Sequence, residues 1–423
     1  MEVIRIRDFG EIFTGKTPPT ENPQNFGVGY PFITPGDLTD AKFIADTMRY
    51  VTKTGISYTT LIPANTICVS CIGYIGKIGI TVTESCTNQQ IDSIVVNSDF
   101  DLNYVYYLLS YNVPYFKELA GVNVVPQLNK SDFSKVKLLG TRDKFEQTAI
   151  ASILSKVDEA IQATQNSIKA AGKLKIGLMQ NLLTGKLKPD GTCRTKDEFY
   201  KDEKFGNVPK GWDYVKLRDV CIKPGEYGAN ASAIPFQEGL PRYIRITDID
   251  DFGNLIEEGV VGIELEKAKN YILSEDDFLF ARTGDTVGKS LLYKEEMGQA
   301  AYAGYLIKFT FNKQLILPEY FNLIAKSDFF EAFKVAMKRV GAKPNINSRE
   351  YGSFKFIIPK NTNEQQVIYN KIKPFEEEKN CKETKIKKLQ KLKKSLMQNL
   401  LSGRVRVDIE KLNQIFNEIS KVL

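Results

Sequence analysis

The chain has 423 residues, of which 42% are hydrophobic and 11% aromatic, enough apolar material for two or three packed domains and too much for a disordered polymer. It contains no histidine, so it lacks the usual general base near neutral pH and the commonest metal ligand, and nucleophiles activated by histidine are excluded. Lysine and arginine exceed the acids by 58 to 51, for a net charge of +7; the stretch Lys379 to Lys394 holds eight lysines and one glutamate, leaving the rest near neutral.

In chain order, the strand-like runs YPFITPGDL, TICVSCIGYIGKIGITV and IDSIVV come first, rich in β-branched and aromatic residues and broken by Gly, Pro and Asn. LNYVYYLLSYNVPYFKELA follows with helical apolar spacing. A long helix then begins where Asp143 stands three residues before Glu146, a capping-box arrangement. Its proline-free course carries Ile150, Leu154, Val157, Ile161 and Ile168 at four-three spacing, a coiled-coil seam, and Gly185 closes it.

A polar linker leads to a second front part, RYIRITDIDDFG, DFLFARTGDTVGKSLLY and YLIKFTF, and to a second helical stretch, LPEYFNLIAKSDFFEAFKVAM. The second long helix, opened by Asn361 and Glu364, has Ile372, Ile386, Leu389 and Leu396 on its seam; Pro374 has no counterpart in the first, so a kink or a displaced first turn is expected. DIEKLNQIFNEISKVL reads as a short terminal helix.

The chain is a tandem repeat. LMQNLLTGK at Leu178 recurs as LMQNLLSGR at Leu396, 218 positions later, and the same offset pairs Pro126 with Pro344, Asn129 with Asn347 and Glu146-Gln147 with Glu364-Gln365. Upstream the offset slips to 211 for Arg7-Asp8 and Arg218-Asp219 and to 212 for Gly76-Lys77 and Gly288-Lys289, so insertions fall in the front of each unit. A period this long describes whole domains rather than a solenoid. The expected fold class is α+β: two globular α+β domains separated by an antiparallel two-helix coiled coil, with an internal pseudo-twofold repeat. Each helix exposes an apolar stripe whose evident partner is its own duplicate, and antiparallel pairing places the chain termini near each other. The expected segments are 1–142, a helix at 143–186, a linker at 187–212, 213–360, a helix at 361–405 and a tail at 406–423.

No apolar run approaches a membrane span, and the opening MEVIRIRDFG lacks the apolar stretch of a signal peptide, so a soluble cytoplasmic protein without membrane contact is expected. The six cysteines do not recur at the repeat offset; they read as reduced thiols, with Cys68 and Cys71 packed in a strand, and no metal site is expected. TGDTVGKS at Thr283 to Ser290 misses the first glycine of a phosphate loop. It reads instead as a glycine-bearing hairpin offering Arg282, Thr283 and Lys289, as its partner CIGYIGKIG offers Ser70, Tyr74 and Lys77, either to DNA or merely to solvent. Lys338, Arg339, Lys343, Asn345 and Arg349, with Asn123 and Gln127 in the first unit, form a second candidate set, amides and cations being suited to base edges and phosphates. Asn129 and Asn347 serve either as readers or as helix caps, and Arg245 and Asp248, with Thr34 and Asp37 as counterparts, read better as support for the fold.

Two front domains alternating with two long helices, EQ at each helix start, LLTGK or LLSGR at each helix end, the GNVPKGWDYVKLRDV lead-in at Gly206, and the VVPQLNKSDF and AKPNINSREY segments resemble the specificity subunit of type I restriction-modification systems over essentially the whole chain. One departure is that the first domain lacks the Pro and Trp lead-in, which leaves open how its first strand is anchored. The resemblance implies a non-catalytic reader of double-stranded DNA with two target recognition domains, each reading half of a bipartite target. It implies two methyltransferase subunits and restriction-translocase subunits as partners, with no cofactor in this chain and S-adenosylmethionine in the methyltransferase. The lysine-rich face of the second helix then serves DNA phosphates, methyltransferase docking or solvation. The rival reading is a coiled-coil scaffold whose α+β modules bind proteins.

Overall fold

The structure, a computed structural model, describes residues 1–121, 125–203, 205–337 and 344–407. The chain divides into two compact units, one comprising Met1–Ser167 and the chain from Lys382 onward, the other Ile168–Cys381.

In unit 1, β1 (Glu2–Arg5), β2 (Gly10–Thr14), β3 (Phe26–Ile33), β4 (Phe43–Ile44), β5 (Tyr50–Val51), β6 (Leu61–Ile62), β7 (Thr66–Ser70), β8 (Ile78–Thr81), β9 (Ser85–Thr87) and β10 (Ile91–Val96) lead to three helices, α1 (Leu102–Tyr111), α2 (Val113–Ala120) and α3 (Lys130–Lys135), and to β11 (Lys137–Gly140). A five-stranded sheet runs β2-β10-β7-β8-β4 and a four-stranded one β5-β3-β9-β6, while β1 pairs antiparallel with β11. That last pairing anchors the first strand without a tryptophan lead-in. Alternate residues of β7 point to opposite faces: Ile67 and Val69 join the core beneath α1, and Cys68 joins Ile33, Leu38 and Ile91 on the other side. Burial on both faces explains why these strands read as continuous apolar runs. Cys68 and Cys71 are buried free thiols, and burial pushes the Cys68 pKa up to about 12.

The first long helix, α4 (Lys144–Leu183), crosses from unit 1 into unit 2. The expected linker is not a plain polar connection. It folds into a hairpin, β12 (Phe199–Asp202) with β13 (Gly206–Pro209), which reaches back so that a Cβ on Gly185 would sit 2.2 Å from the Pro209 ring.

The rest of unit 2 follows as β14 (Trp212–Lys216), β15 (Glu226–Tyr227), β16 (Ile234–Pro235), β17 (Arg242–Ile244), β18 (Val261–Gly262), α5 (Leu265–Ala268), β19 (Phe278–Ala281), β20 (Ser290–Leu292), β21 (Ala300–Tyr302), β22 (Leu306–Phe309), α6 (Pro318–Ile324), α7 (Asp328–Met337), α8 (Ser348–Gly352), β23 (Lys355–Pro359) and the second long helix, α9 (Thr362–Leu401). The pairing repeats that of unit 1: β14 with β23 as β1 with β11, the order β15-β22-β19-β20 against β2-β10-β7-β8, and the parallel pair β17 and β21 against β3 and β9. The β19 face that carries Phe278 and Phe280 meets α6 to α8, where the Phe280 ring stacks on Tyr351 at 4.6 Å.

Opposite halves of the long helices share a core in each unit, as antiparallel pairing requires. In unit 1, Ile150, Leu154 and Val157 of α4 pack with Leu389 and Leu400 of α9, and Ile161 and Leu396 flank them. In unit 2, Met179 and Leu182 of α4 pack with Ile368 and Ile372 of α9. The remaining seam residues, Ile168 and Ile386, are half-buried. The seam is not helix against helix alone, because the same clusters contain Tyr104 and Phe133 in unit 1 and Tyr320 and Phe356 in unit 2. α9 runs unbroken through Pro374, and its first turn starts in the register of α4, so no displacement occurs. Proline removes one backbone donor, and here it sits exposed while Ile368 and Ile372 hold the helix against the core. Gly185 and Gly403, at φ +68° and +72°, end the two helices. Of the expected C-terminal helix, residues 408–423 lie outside the described residues.

The EQ pair works differently from a capping box. Asp143 Oδ1 accepts from Phe145 N at 3.0 Å and Asn361 Oδ1 from Asn363 N at 2.9 Å, so the caps form, but the glutamates turn elsewhere. Glu146 takes two hydrogen bonds from Arg406, at 2.6 and 2.7 Å, and Glu364 takes one from Arg194 at 2.6 Å and one from Trp212 Nε1 at 3.2 Å. In each unit an arginine that follows one long helix therefore holds the first turn of the other. The fully buried glutamines tie the helix to its domain. Gln147 accepts from Asp101 N at 2.7 Å and donates to Thr141 O at 3.0 Å; Gln365 accepts from Leu317 N at 2.9 Å and donates to Leu315 O and Pro359 O at 2.9 and 3.0 Å. A second joint in unit 1 is polar: Lys42 Nζ lies 3.1 Å from Ser155 Oγ and 3.2 Å from the Tyr107 hydroxyl, which donates to Asp158 at 2.7 Å, while Lys393 pairs with Asp158 at 2.6 Å.

Candidate nucleic-acid interface

One exposed construction occurs in both units. The turn after β7 is crossed by an extended segment: Gly73 N donates to Pro126 O at 2.9 Å, Leu128 N to Cys71 O at 2.8 Å, and Ile72 faces Gln127 in an antiparallel bridge. The turn after β19 repeats the pattern, with Gly284 N to Pro344 O at 2.9 Å, Ile346 N to Arg282 O at 2.9 Å, and Thr283 facing Asn345. A third matched bond joins the neighbouring loop, Cys71 N to Gln90 O at 2.8 Å and Arg282 N to Tyr305 O at 3.0 Å. These bonds make Cys71 equivalent to Arg282, Ile72 to Thr283, Gln90 to Tyr305 and Gln127 to Asn345.

Both turns close in the same way. Gly76 N donates to Ser70 O at 2.9 Å and Gly288 N to Ala281 O at 3.0 Å, with the glycines at φ +82° and +86°, a conformation that favours glycine. The one-residue slip of the repeat falls between these anchors, where unit 1 has Tyr74-Ile75 and unit 2 has Asp285-Thr286-Val287.

The frame brings Tyr74 and Gln127 together at the surface of unit 1, and Arg282, Thr283 and Asn345 in unit 2. Arg282 Nε is 3.4 Å from Asn345 Oδ1, and its guanidinium lies 4.9 Å over the Tyr227 ring. Arg349 is exposed on α8, next to Ser348, whose backbone N–H donates to the Tyr227 hydroxyl at 3.1 Å.

Other expected contacts are used within the fold. Ser70 is fully buried: its hydroxyl donates to Tyr74 O and accepts from Lys77 N, so it staples the turn and does not face a ligand. Lys289 reaches inward to Ile249 O at 3.3 Å and pairs with Asp251 at 2.8 Å, which neutralises the cation expected to be on offer. Its counterpart Lys77 reaches Pro35 O at 3.0 Å but stays exposed, with its ammonium 5.4 Å from the Tyr74 ring. Asn129 and Asn347 cap α3 and α8, accepting from Asp132 N at 3.0 Å and Glu350 N at 2.9 Å. Asp37 and Asp248 brace their own loops, Asp37 on Thr34 N at 2.8 Å and Asp248 on Arg245 N at 2.8 Å. Asn123, Lys338, Arg339 and Lys343 lie outside the described residues.

Sequence reasoning missed Gln90, Tyr227 and Tyr305. No residue identity links Gln90 to Tyr305 across the repeat; only the backbone bonds do. Exposed aromatic faces beside amides and cations can pack on sugars and bases and reach base edges, whereas nothing in the frame has the arrangement of a nucleophile and base. Among the described residues no cluster of His, Cys, Asp and Glu could hold a metal ion, and no helix is long and apolar enough to cross a membrane.

Comparison with known proteins agrees with this repeat. A full-length alignment, 24% identical and covering 96% of this chain and 93% of the relative, is to the type I restriction enzyme MjaVIII specificity subunit of Methanocaldococcus jannaschii. The MjaIX specificity subunit of the same organism is 26% identical over 68% of this chain and 67% of its own length. Among solved structures, the S subunit of a type I restriction-modification system from M. genitalium superposes with a TM-score of 0.58 at 16% identity, covering 96% of both chains, which shows a common fold. The family profile described as type I restriction modification DNA specificity domain matches twice, at residues 1–171 and 209–394, and the chain belongs to that family.

Proposed function

We propose that this chain is the non-catalytic DNA-reading subunit of a type I restriction-modification complex, each α+β domain reading one half of a bipartite target. The observation that carries the reading is the duplicated turn, built on matched backbone bonds yet presenting different side chains: Tyr74 and Gln127 in one copy, Arg282, Thr283 and Asn345 in the other. A constant frame with variable exposed groups is what two dissimilar half-sites require. The paired long helices set the spacing between half-sites and seat two methyltransferase subunits, which bring S-adenosylmethionine; restriction-translocase subunits complete the assembly.

Mapping of methylated adenines in host DNA, with and without this chain beside its methyltransferase, tests the reading. A two-part motif with a fixed gap that disappears on deletion is expected, and methylation that persists unchanged would refute the role. Inserting four residues after Ala163 is expected to lengthen the gap and leave both half-sites as they were.

A further inference from the structure

We infer that Arg282 reads a guanine through the major groove, and that only the half-site of the second domain contains this contact. The inference rests on the DNA-reading role proposed above and adds the chemistry of one base position.

The Arg282 side chain is held by its neighbours. Nε is turned to Asn345 Oδ1 at 3.4 Å, and one face of the guanidinium is covered by Tyr227 at 4.9 Å. The Tyr227 ring is itself fixed, since its hydroxyl accepts from Ser348 N at 3.1 Å. The backbone on either side of the arginine is bonded to Tyr305 O and Ile346 N. With Nε turned toward Asn345 and the guanidinium resting against Tyr227, the terminal nitrogens have no hydrogen-bond partner among the described residues and offer a ligand a flat two-donor fork. That fork matches the O6 and N7 acceptors of guanine, and preorganisation lowers the entropy lost when it binds. A phosphate contact needs no such bracing.

The surroundings admit a duplex. Gly284, at φ +67°, has no atom of the described residues within 4 Å of where a Cβ would stand. Tyr305 is well exposed at the rim. In unit 1 the equivalent position is Cys71, which is buried, and the neighbouring exposed group is the amide of Gln127. An amide suits adenine N6 and N7 rather than guanine. The amide position is common to both copies, as Gln127 and Asn345, so what sets them apart is the arginine, replaced in unit 1 by a buried thiol.

The test uses the chain in complex with its methyltransferase partner and duplexes carrying the mapped target, in which each guanine is replaced in turn by 7-deazaguanine, which lacks the N7 acceptor. Wild-type binding is expected to fall about 5- to 150-fold at one guanine of one half-site. Arg282→Ala is expected to be indifferent to that replacement and to methylate DNA with the same position degenerate, the other half-site remaining strict. A strict first half-site also shows that the variant is folded. No sensitive guanine in either half-site with the wild-type protein would overturn the inference, and so would an Arg282→Ala variant that methylates less at every site but with an unchanged motif, which assigns the arginine to a phosphate. A wild-type complex with no bipartite motif at all refutes the proposed function instead.

Discussion

Arg406 holds Glu146 by two hydrogen bonds, Nε to Oε1 at 2.6 Å and Nη2 to Oε2 at 2.7 Å, although the two residues come from the end of the chain and the start of the first long helix. Burial by itself raises the pKa of Glu146, but hydrogen bonds from Arg406 and Thr141 and the charge of Arg406 outweigh it, and the net shift is downward. A carboxylate with a lowered pKa contributes stability that is present above its unfolded value and lost as pH falls through the folded one. Glu146→Gln is therefore expected to be less stable than wild type at pH 7, with the gap narrowing as pH drops below about 4.5. Urea midpoints measured from pH 7 to pH 3 check this; a gap independent of pH would contradict it.

Lys42 gives a dependence of the same sign in an alkaline window. Burial, reinforced by the neighbouring Lys393, lowers its pKa to about 8 despite the attraction of Asp158. Between pH 8 and the unfolded value near 10.5 the unfolded chain holds a proton that the folded chain has released, so stability rises with pH in that window. The thermal midpoint of wild type relative to Lys42→Met is expected to rise between pH 8 and about 9.5; taking the difference cancels the buried thiols such as Cys68, whose raised pKa values act the other way, and the window lies below the range where tyrosines ionise.

Gln147 and Gln365 test the helix-to-domain joint. Replacing either by leucine leaves one buried carbonyl, Thr141 O or Pro359 O, without its glutamine donor, at about 1–3 kcal/mol, and breaks half-buried bonds that cost less. Gln365→Leu strands Leu317 N, Leu315 O and Pro359 O, whereas Gln147→Leu strands Asp101 N and Thr141 O, so the Gln365 variant is expected to lose more in chemical denaturation. Equal losses would show that the third bond contributes nothing.

Gly76→Ala is expected to distort the reading turn of unit 1. A Cβ there would stand 2.5 Å from the Val113 side chain, on a residue at φ +82°. The cost is about 1–3 kcal/mol for the backbone conformation alone. If the turn reads DNA, the methylated motif should relax in one half-site, which adenine mapping of the variant would show.

The organisation of the protein was largely legible in its sequence, and the residue-level site much less so. The constant offset of 218 over Pro126 to Lys186 marks the part in which helix and domain are locked together, and the buried Gln147 and Gln365 explain why that register does not slip. The slip from 211 to 212 between the two copies of the turn corresponds to a single extra residue at its exposed tip. What periodicity does not encode is a side chain's distant partner. Glu146 and Glu364 looked like local caps because their arginines, Arg406 and Arg194, follow the opposite helix. Lys289 looked available because Asp251 is remote in sequence, and Ser70 looked exposed because a turn residue was not distinguished from the last buried residue of its strand.

The division of the chain also orders its assembly. Unit 2 is one contiguous stretch, Ile168–Cys381, whereas the first domain finds Leu389, Leu400 and Arg406 only in residues translated after unit 2. The first domain is thus completed only after the second, and closing it requires contacts of very long sequence separation, which form slowly. A nascent chain halted before Lys382 would carry a complete second reader and a first reader whose helix still shows an uncovered apolar stripe. Removal of the chain from Lys382 onward consequently damages the first domain.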